Sequence, residues 1–508
     1  MLVKVLGLLC GSAFVIHATD PIWVEDFDSP TGRWPRQVWE QAAGRGGVLH
    51  ITVPPGSTNP NNTVALPVPI EKIRGKRVFF GSEVKTANIS HKPHSWNGVK
   101  VMLVLETPNG KTYPQPDIPE GSADWKRFSG WIAVPEATTN ITLVLGLENV
   151  TGEAWFAHFT ISPKIALSAT LKPDPNRQIF LGHTATRLRG AMAAPGITEE
   201  DVRHFANMWH GNLLRLQLFE SATCDRPLEE YDHWLDAQLS HLDHVLDWCE
   251  KYGVAAVVDL HSPPGGQAFS AGYITARGRI FTEPQAQDKF VQVWQRIATR
   301  YKGRRIIWGF DLVNEPDDSM LAENCLDWNC LADKAARAVR AADPDRILIV
   351  EPDQWGGPQG FADFKPLDLQ RVVYSFHFYQ PMQFTHQGIQ QRPAGVTYPG
   401  LIAQERWDKA RLEREMQPAI EFAKQYRVQM YVGEFSAIRT APHGSAAKYL
   451  ADVIDILEQQ GFDWSYHAYR EWQGWSLEHQ GPLDNPVRAS EPTDRARIVL
   501  QWFDRNDR

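Results

Sequence analysis

The sequence has 508 residues, of which 43% are hydrophobic and 22% are charged, and this balance indicates a folded globular protein rather than a disordered one. A barrel domain uses about 250 residues or more, so the length accommodates a barrel and an accessory domain. A formal net charge of −8 without a long basic run argues against nucleic acid as the main partner.

Residues 1–18 have the pattern of a secretory signal peptide. Lys4 gives a positive start, residues 5–16 are almost wholly apolar, and Ala18 suits a cleavage site. The apolar stretch is too short for a comfortable membrane span, and no later stretch is long and apolar enough. The sequence therefore predicts a secreted protein, extracellular or periplasmic, with no membrane span.

Residues 19–165 are predicted to form an all-β sandwich. Short apolar runs are separated by Gly, Pro and Asn turns, and helical periodicity is scarce. The segments 125–128, 146–149 and 152–156 resemble jelly-roll carbohydrate-binding modules that accompany glycosidases. This resemblance implies that the domain binds sugar. The alternative is a structural sandwich that braces a catalytic domain.

Residues 166–178 contain Pro173 and Pro175 and are predicted to be a linker. In residues 179–508, strand-like runs alternate with helical segments. The eight candidate strands are at 184–187, 212–216, 255–261, 306–316, 346–351, 372–377, 430–434 and 464–467. Eight strands that alternate with helices and are closed by right-handed crossovers predict a (β/α)8 TIM barrel, so the fold class is α/β.

Two helical segments are the clearest. In the first, four leucines recur at three- and four-residue spacing, from Leu235 to Leu246, and Gly253 follows the predicted end. The second is predicted over residues 405–425.

Polar residues stand at the predicted strand ends, where a barrel places its chemistry. They are Arg215, His261, Asn314, Glu315, His377, Tyr379 and Glu434, followed by the aromatic residues Trp472 and Trp475. Buried polar groups are costly unless they are paired, so a whole set of them indicates one shared site at the barrel mouth. Glu315 and Glu434 come from the fourth and seventh strands, and two facing carboxylates are the usual equipment for cleaving a glycosidic bond.

These motifs resemble glycoside hydrolase family 5, the cellulase family of the (β/α)8 clan. The resemblance covers roughly residues 180–505 and rests on the strand-end residues above, including Asn314-Glu315-Pro316 and His377-Phe378-Tyr379. The run 257–261 followed by 264–267 is also typical of the family.

The resemblance implies a role for each matching residue. Glu315 is expected to be the general acid/base and Glu434 the nucleophile. Arg215 is expected to lower the pKa of Glu434, and Tyr379 to donate a hydrogen bond to it. Asn314 is expected to hold the sugar 2-hydroxyl.

The remaining residues are expected to contact substrate. His261 and His377 are expected to bind sugar hydroxyls or to organise neighbouring charges. Trp472 is expected to form the floor of the subsite for the cleaved sugar, with Trp475 as the second choice. Trp355 is expected to extend this platform.

The sequence therefore predicts a retaining hydrolase that cleaves β-linked polysaccharide by double displacement with two glutamates, as an endo-β-1,4-glucanase. A β-mannanase, or an exo-acting β-glycosidase on oligosaccharides or glycosides, remains open because residues 380–401 form a long segment after the sixth strand. A non-catalytic carbohydrate-binding protein is the third alternative.

No cofactor is implied, and no metal site is expected because the pair Asp259 and His261 lacks a third ligand nearby. The protein is expected to be a monomer. Cys325 and Cys330 flank four residues and could close a small loop, since export permits disulfides.

Overall fold

The computed structural model describes residues 20–27, 39–42, 46–164, 167, 169–220, 226–266, 269–270, 273–274, 278–319, 321–389 and 391–507. The predicted signal peptide lies outside the described residues. The chain divides into two compact units. One comprises the residues up to Ile165 together with Ala322–Asn324, and the other comprises Ala166–Leu321 and Cys325–Arg508.

The first unit is a sandwich of two antiparallel sheets. Its strands are β1 (Trp23–Glu25), β2 (Trp39–Ala42), β3 (Gly46–Val53), β4 (Asn61–Pro67), β5 (Arg77–Ile89), β6 (Gly98–Thr107), β7 (Gly110–Thr112), β8 (Gly121–Ala133), β9 (Asn140–Glu148) and β10 (Gly152–Pro163). One sheet has the order β2-β3-β10-β5-β8 with β1 beside β10, and the other has the order β4-β9-β6-β7. Apolar residues of both sheets, such as Leu49 and Val101, are buried in one core. This confirms the all-β prediction.

Eight parallel strands close into a barrel in the second unit, which confirms the (β/α)8 prediction. In barrel order they are β11 (Arg189–Ala193), β12 (Leu213–Gln217), β13 (Ala255–Asp259), β16 (Ile307–Asp311), β17 (Ile347–Val350), β18 (Val372–Phe378), β21 (Met430–Phe435) and β22 (Asp463–Tyr469). Short hairpins join β14 (Phe269–Ser270) to β15 (Tyr273–Ile274), β19 (Gly400–Ile402) to β20 (Glu405–Trp407), and β23 (His479–Gln480) to β24 (Val487–Arg488).

The described α-helices follow the strands as the sequence pattern indicates. They are α1 (Glu199–Met208), α2 (Tyr231–Tyr252), α3 (Pro284–Arg300), α4 (Trp328–Ala342), α5 (Met382–Thr385), α6 (Lys409–Tyr426), α7 (Ser445–Gln460) and α8 (Asp494–Phe503). The leucine stripe of α2 is buried, and Gly253 ends this helix with a φ of 70°. Helix α6 begins later than predicted, because residues 405–407 form β20 and Asp408 caps the helix by accepting from the Arg411 amide.

The first barrel strand was placed wrongly by the sequence pattern. Residues 184–187 are not a strand, and Thr186 instead donates its amide and hydroxyl to Asp507. The strand is β11, whose glycine and alanines carry little strand propensity. Gly190 is required there, because a Cβ on it would lie 1.9 Å from the Leu213 carbonyl oxygen of the neighbouring strand.

One apolar cluster involves residues of several barrel strands and excludes water. It contains Leu188, Leu213, Val257, Trp308, Ile347, Ile349, Val373 and Tyr431. The polar strand-end residues are not part of this cluster, so the chemistry is confined to the carboxyl ends of the strands.

Cys325 and Cys330 are both buried as thiols and form no disulfide loop. Asp327 closes this turn instead, because its carboxylate accepts from the Cys330 amide at the start of α4. Burial raises the pKa of the Cys325 thiol to about 12. Within the part of the chain that the structure describes, no helix combines the length and the apolar character needed to cross a bilayer.

Candidate active site

Polar side chains from most of the barrel strands meet at the carboxyl ends. Each lies in a short buried strand or shortly after one, and the side chains are buried themselves, apart from partial exposure of Glu315 and His467. The set comprises Arg215, Asp259, Asp311, Asn314, Glu315, Glu351, His377, Glu434 and His467. Burial of so many ionisable groups is tolerable only because they pair with one another.

Arg215 on β12 is the central cation. Its Nη1 donates to Glu434 Oε1 at 2.7 Å. Its other carboxylate and amide partners, at 2.9–3.2 Å, are Asp259, Asp311, Asn314 and Glu351. Burial alone would lower the pKa of Arg215, but the surrounding carboxylates raise it well above its ordinary value. Arg215 is therefore a fixed positive charge, and it orients Glu434 through a charge-assisted bond.

Glu434 on β21 is surrounded by donors. Tyr379 donates its hydroxyl to Glu434 Oε2 at 2.9 Å, and His467 Nδ1 lies 3.1 Å from the same oxygen. Burial alone would raise the pKa of Glu434. The positive charges of His377, His467 and Arg215 outweigh burial and hold this pKa well below its ordinary value. Glu434 is therefore ionised and stationary, as a carboxylate nucleophile must be.

Glu315 follows β16 with a φ of 47°, an uncommon conformation for a residue with a side chain. Its amide donates to Glu351 Oε2 at 3.0 Å, which holds this turn. Burial raises the pKa of Glu315, and the charges of Glu434 and Glu351 add to that effect, while His377 opposes it. Glu315 therefore tends to keep its proton where Glu434 has lost its own.

His377 on β18 links the two glutamates. Its Nδ1 lies 2.9 Å from Glu315 Oε1 and 3.8 Å from Glu434 Oε2, and its Nε2 lies 3.2 Å from Glu351 Oε1. Burial would lower the pKa of His377, but these carboxylates raise it well above its ordinary value. Gly433 leaves room for the ring, because a Cβ there would lie 2.8 Å from His377 Nε2.

One oxygen of Glu315, one oxygen of Glu434 and a ring nitrogen of His377 lie within 4.8 Å of one another. Such a group could present ligand atoms to a cation. Their donor set does not suit one, because His377 and Arg215 already supply positive charge to these carboxylates. The arrangement is that of a charge-balanced network.

The aromatic residues after β22 form one side of the site. The Trp475 ring is buried and lies 5.9 Å from the Tyr379 ring and 6.0 Å from the His467 ring, centroid to centroid. Trp472 packs edge-on against Trp475 at 5.2 Å and is 39% exposed. Trp475 therefore packs against the rings of Tyr379 and His467, and Trp472 presents a partly exposed indole beside it. The assignment of Trp472 as the floor of the sugar subsite stays a prediction.

Two predicted substrate contacts lie outside the central network. His261 Nδ1 lies 2.8 Å from Asp259, and Asp259 pairs with Arg215. Asp259 therefore links His261 to the central cation. Trp355 is 46% exposed, and its amide donates to the carbonyl of Pro316, the residue after Glu315. An exposed indole therefore stands beside the Glu315 turn.

His467 is the most informative residue that the sequence reasoning missed. It bonds Tyr379 through Nδ1 and Glu471 through Nε2, the latter at 3.0 Å. Burial would lower the pKa of His467, but Glu434 and Glu471 raise it to about 10. His467 therefore carries a positive charge against Glu434 at neutral pH.

The buried carboxylates Asp259, Asp311 and Glu351 were also missed as site residues. Burial raises the pKa of Asp311 well above its ordinary value, in spite of Arg215. The signal for Glu351 was present in the sequence, because it directly follows the apolar run of β17 just as Glu315 follows that of β16.

The segment after β18 is ordered by one buried amide. The Gln387 side chain donates to the carbonyls of Phe384 and Val396 and accepts from two amides, of Gly395 and Val396. His386, beside it, packs edge-on against Trp475 at 5.0 Å. The segment therefore reaches the aromatic side of the site.

Comparisons with known proteins give matches to cellulases and related enzymes. The sequence model of the cellulase family, glycosyl hydrolase family 5, matches residues 178–473. Endoglucanase C of Acetivibrio thermocellus is 29% identical over 305 residues, which are 53% of this chain and 84% of that protein. Cellodextrinase A of Ruminococcus flavefaciens is 26% identical over 240 residues, which are 46% of this chain and 68% of that protein.

Among solved structures, a mutant form of Thermotoga maritima Cel5A in complex with cellobiose is 20% identical; the match covers 62% of this chain and 97% of that chain, with a TM-score of 0.49.

Proposed function

The chain belongs to the cellulase family, glycosyl hydrolase family 5, and on that premise we propose that it is a secreted endo-β-1,4-glucanase that retains anomeric configuration. The observation that carries the mechanism is the pair Glu315 and Glu434. One oxygen of each lies within 4.8 Å of the other, and their pKa values are displaced in opposite directions. Retaining enzymes have carboxyl groups about 5–5.5 Å apart, whereas inverting enzymes need about 6.5–9.5 Å.

In the first step, the ionised Glu434 attacks the anomeric carbon and forms an ester bond to it. The glycosidic bond breaks, and its oxygen takes the proton of Glu315 and leaves as an alcohol. Arg215 and Tyr379 hold the attacking carboxylate, so the reacting atoms meet without further reorganisation.

In the second step, Glu315 has become a carboxylate and acts as the base. It removes a proton from a water molecule, whose oxygen attacks the anomeric carbon and displaces Glu434. Two displacements at the same carbon retain its configuration. Both glutamates then return to their starting protonation states.

The substrate proposal rests on the relatives, since one of them is an endoglucanase and another a cellodextrinase. Action on short oligosaccharides is the second candidate. It is supported by the segment after β18, which Gln387 holds in place and which brings His386 against Trp475. A wall at this position would shorten the cleft.

Secretion is supported by the pattern of residues 1–18. Expression of the full chain with its N-terminus intact, followed by N-terminal sequencing of the protein in the medium or periplasm, tests it. Cleavage after about Ala18 is expected. Retention of the intact chain inside the cell would contradict secretion.

The enzymatic test measures reducing-sugar release from soluble cellulose derivative, mixed-linkage glucan, mannan and xylan. Wild-type protein is compared with Glu434→Gln and with Glu421→Gln, which removes an exposed carboxylate on α6 as a matched control. Falling viscosity of the cellulose derivative, lost only in Glu434→Gln, is the expected result. NMR should show the β-anomer as the first product.

Other results would redirect or refute the proposal. Release from mannan alone would move the substrate to mannan. Release from cello-oligosaccharides without any fall in polymer viscosity would favour the shortened cleft. An α-anomer as first product would refute the retaining mechanism. Wild-type rates in Glu434→Gln would refute the assignment of the nucleophile.

A further inference from the structure

An exposed tryptophan stands on a loop of the N-terminal sandwich. Trp96 lies between β5 and β6 and is 60% exposed. The His94 ring stacks on it with centroids 4.5 Å apart and planes 14° apart. Because His94 covers one face of the indole, the opposite face and the edges account for the exposed area.

The loop that carries Trp96 is held in place by hydrogen bonds from a buried lysine. Lys100 is 2% exposed, and its Nζ donates to the Trp96 carbonyl oxygen and, at 3.0 Å, to Gln115 Oε1. The Gln115 amide donates to the same Trp96 carbonyl at 3.1 Å. Glu148 completes the charge pair of Lys100. The indole is thus presented to solvent on a backbone that is fixed in advance, which lowers the entropy cost of binding a ligand.

A second fastening joins the same loop to the segment before β8. Lys92 Nζ lies 2.6 Å from Asp117 Oδ1, and the Lys92 amide donates to Glu120 Oε1 at 2.7 Å. Since the lysine charge is balanced by Asp117, this face offers no net cation to an anionic ligand.

A cavity of about 240 Å³ opens beside Trp96 and is lined by Lys92, Asn97, Gln115 and Asp117 among others. Asn97 is 5% exposed, and its Oδ1 has no hydrogen-bond partner within the residues that the structure describes. A buried acceptor without a partner is costly, so a hydroxyl that donates to it would bind favourably.

We propose that this cavity is a binding site for one pyranose ring of a neutral glycan. A flat aromatic face suits the apolar face of a sugar ring, and the amide and carboxylate groups around it suit its hydroxyls. The paired lysine disfavours phosphate, sulfate and uronate groups. The site lies in the sandwich unit, and the proposal does not depend on the hydrolytic activity of the barrel.

The test is electrophoresis of the full chain through native gels that contain one polysaccharide each. The gels contain hydroxyethylcellulose, mixed-linkage β-glucan, galactomannan, arabinoxylan or polygalacturonate. Every protein carries Glu434→Gln, so that the polymers are not cleaved during the run. The parent is compared with Trp96→Ala and with Tyr113→Ala, which removes an aromatic ring that is 56% exposed on the same sandwich and does not line the cavity.

The parent is expected to be retarded by at least one neutral polysaccharide, and that gel identifies the glycan. Trp96→Ala should weaken this binding about thirtyfold, the loss typical of removing an aromatic anchor, while Tyr113→Ala should bind like the parent. Trp96 is exposed, so its replacement should leave the thermal unfolding midpoint unchanged.

Equal migration of the parent and Trp96→Ala in every gel would overturn the proposal, because any remaining retardation would then come from elsewhere. Equal loss in Trp96→Ala and Tyr113→Ala would overturn the assignment to this cavity. Retardation of the parent by polygalacturonate alone would overturn the assignment to a neutral glycan.

Discussion

Replacement of His467 by glutamine tests whether this residue sets the charge state of the nucleophile. His467 Nδ1 lies 3.1 Å from Glu434 Oε2, and the pKa of His467 is raised to about 10, so the imidazole is charged at acid and neutral pH. Glutamine keeps a hydrogen-bond donor and removes the charge. The pKa of Glu434 should therefore rise.

The size of this effect follows from Coulomb's law. At 3.1 Å, two unit charges attract by about 1.3 kcal/mol at the dielectric constant of water and about 5 kcal/mol at an effective value of 20. Since one pKa unit corresponds to about 1.4 kcal/mol, the pKa of Glu434 should rise by at least about one unit.

The measurement is the pH dependence of kcat/KM on a soluble glucan. Its acid limb reports the ionisation of the nucleophile in the free enzyme, and this limb should move to higher pH by at least about one unit in His467→Gln. At pH values above this acid limb, activity should change far less, because Glu434 is ionised there in both proteins.

The matched control is His386→Gln. The His386 ring packs against Trp475 and Tyr379 as His467 does, but burial lowers its pKa to about 3 and leaves it neutral. Removing it disturbs the packing without removing a charge, so the acid limb should stay in place. An unmoved acid limb in His467→Gln, or equal shifts in both variants, would refute the electrostatic role.

Three further outcomes are expected. Gly356→Ala should lower kcat, because the new Cβ would lie 2.2 Å from Glu351 Oε2 and displace the carboxylate that holds the Glu315 turn. The control is Gly253→Ala, which has a similar positive φ and open space around it. This control should lose about 1 kcal/mol of stability and keep its activity. Gln387→Ala should loosen the segment after β18, and the ratio of polymer to oligosaccharide hydrolysis should rise if that segment shortens the cleft. Lys100→Met should weaken the sandwich's glycan retardation several-fold, and full retention would show that the loop needs no fastening.

The barrel and its two glutamates could be predicted because the relevant signals are local in sequence. Each central strand is a short, largely apolar run; Glu315 follows β16 closely, and Glu434 lies next to the end of β21. The distance between their carboxylates could not be predicted. The two residues come from β16 and β21, and the distance between them is fixed by barrel closure, which no local pattern states.

The site residues that the sequence did not predict act through partners that lie on other strands. Asp259 and Asp311 end their strands just as the predicted residues do, but their side chains point to Arg215 rather than toward a substrate. His467 lies in an aromatic-rich strand, and the tryptophans that follow it carry the stronger sequence signal for a sugar platform. Its charge depends on Glu434 and Glu471, and proximity to Glu434 is not visible along the chain.

The proposed reaction also explains why His377 lies near both glutamates while Arg215 and His467 pair with Glu434. Before the first step the negative charge is on Glu434, and in the covalent intermediate it is on Glu315. Of the two catalytic glutamates, Glu434 is the one that pairs with Arg215 and His467, so these two cations favour the first state. His377 Nδ1 lies 2.9 Å from Glu315 and 3.8 Å from Glu434, and it therefore balances the charge in both states. Because the charge moves across less than about 5 Å past a fixed cation, little electrostatic reorganisation accompanies each half of the cycle.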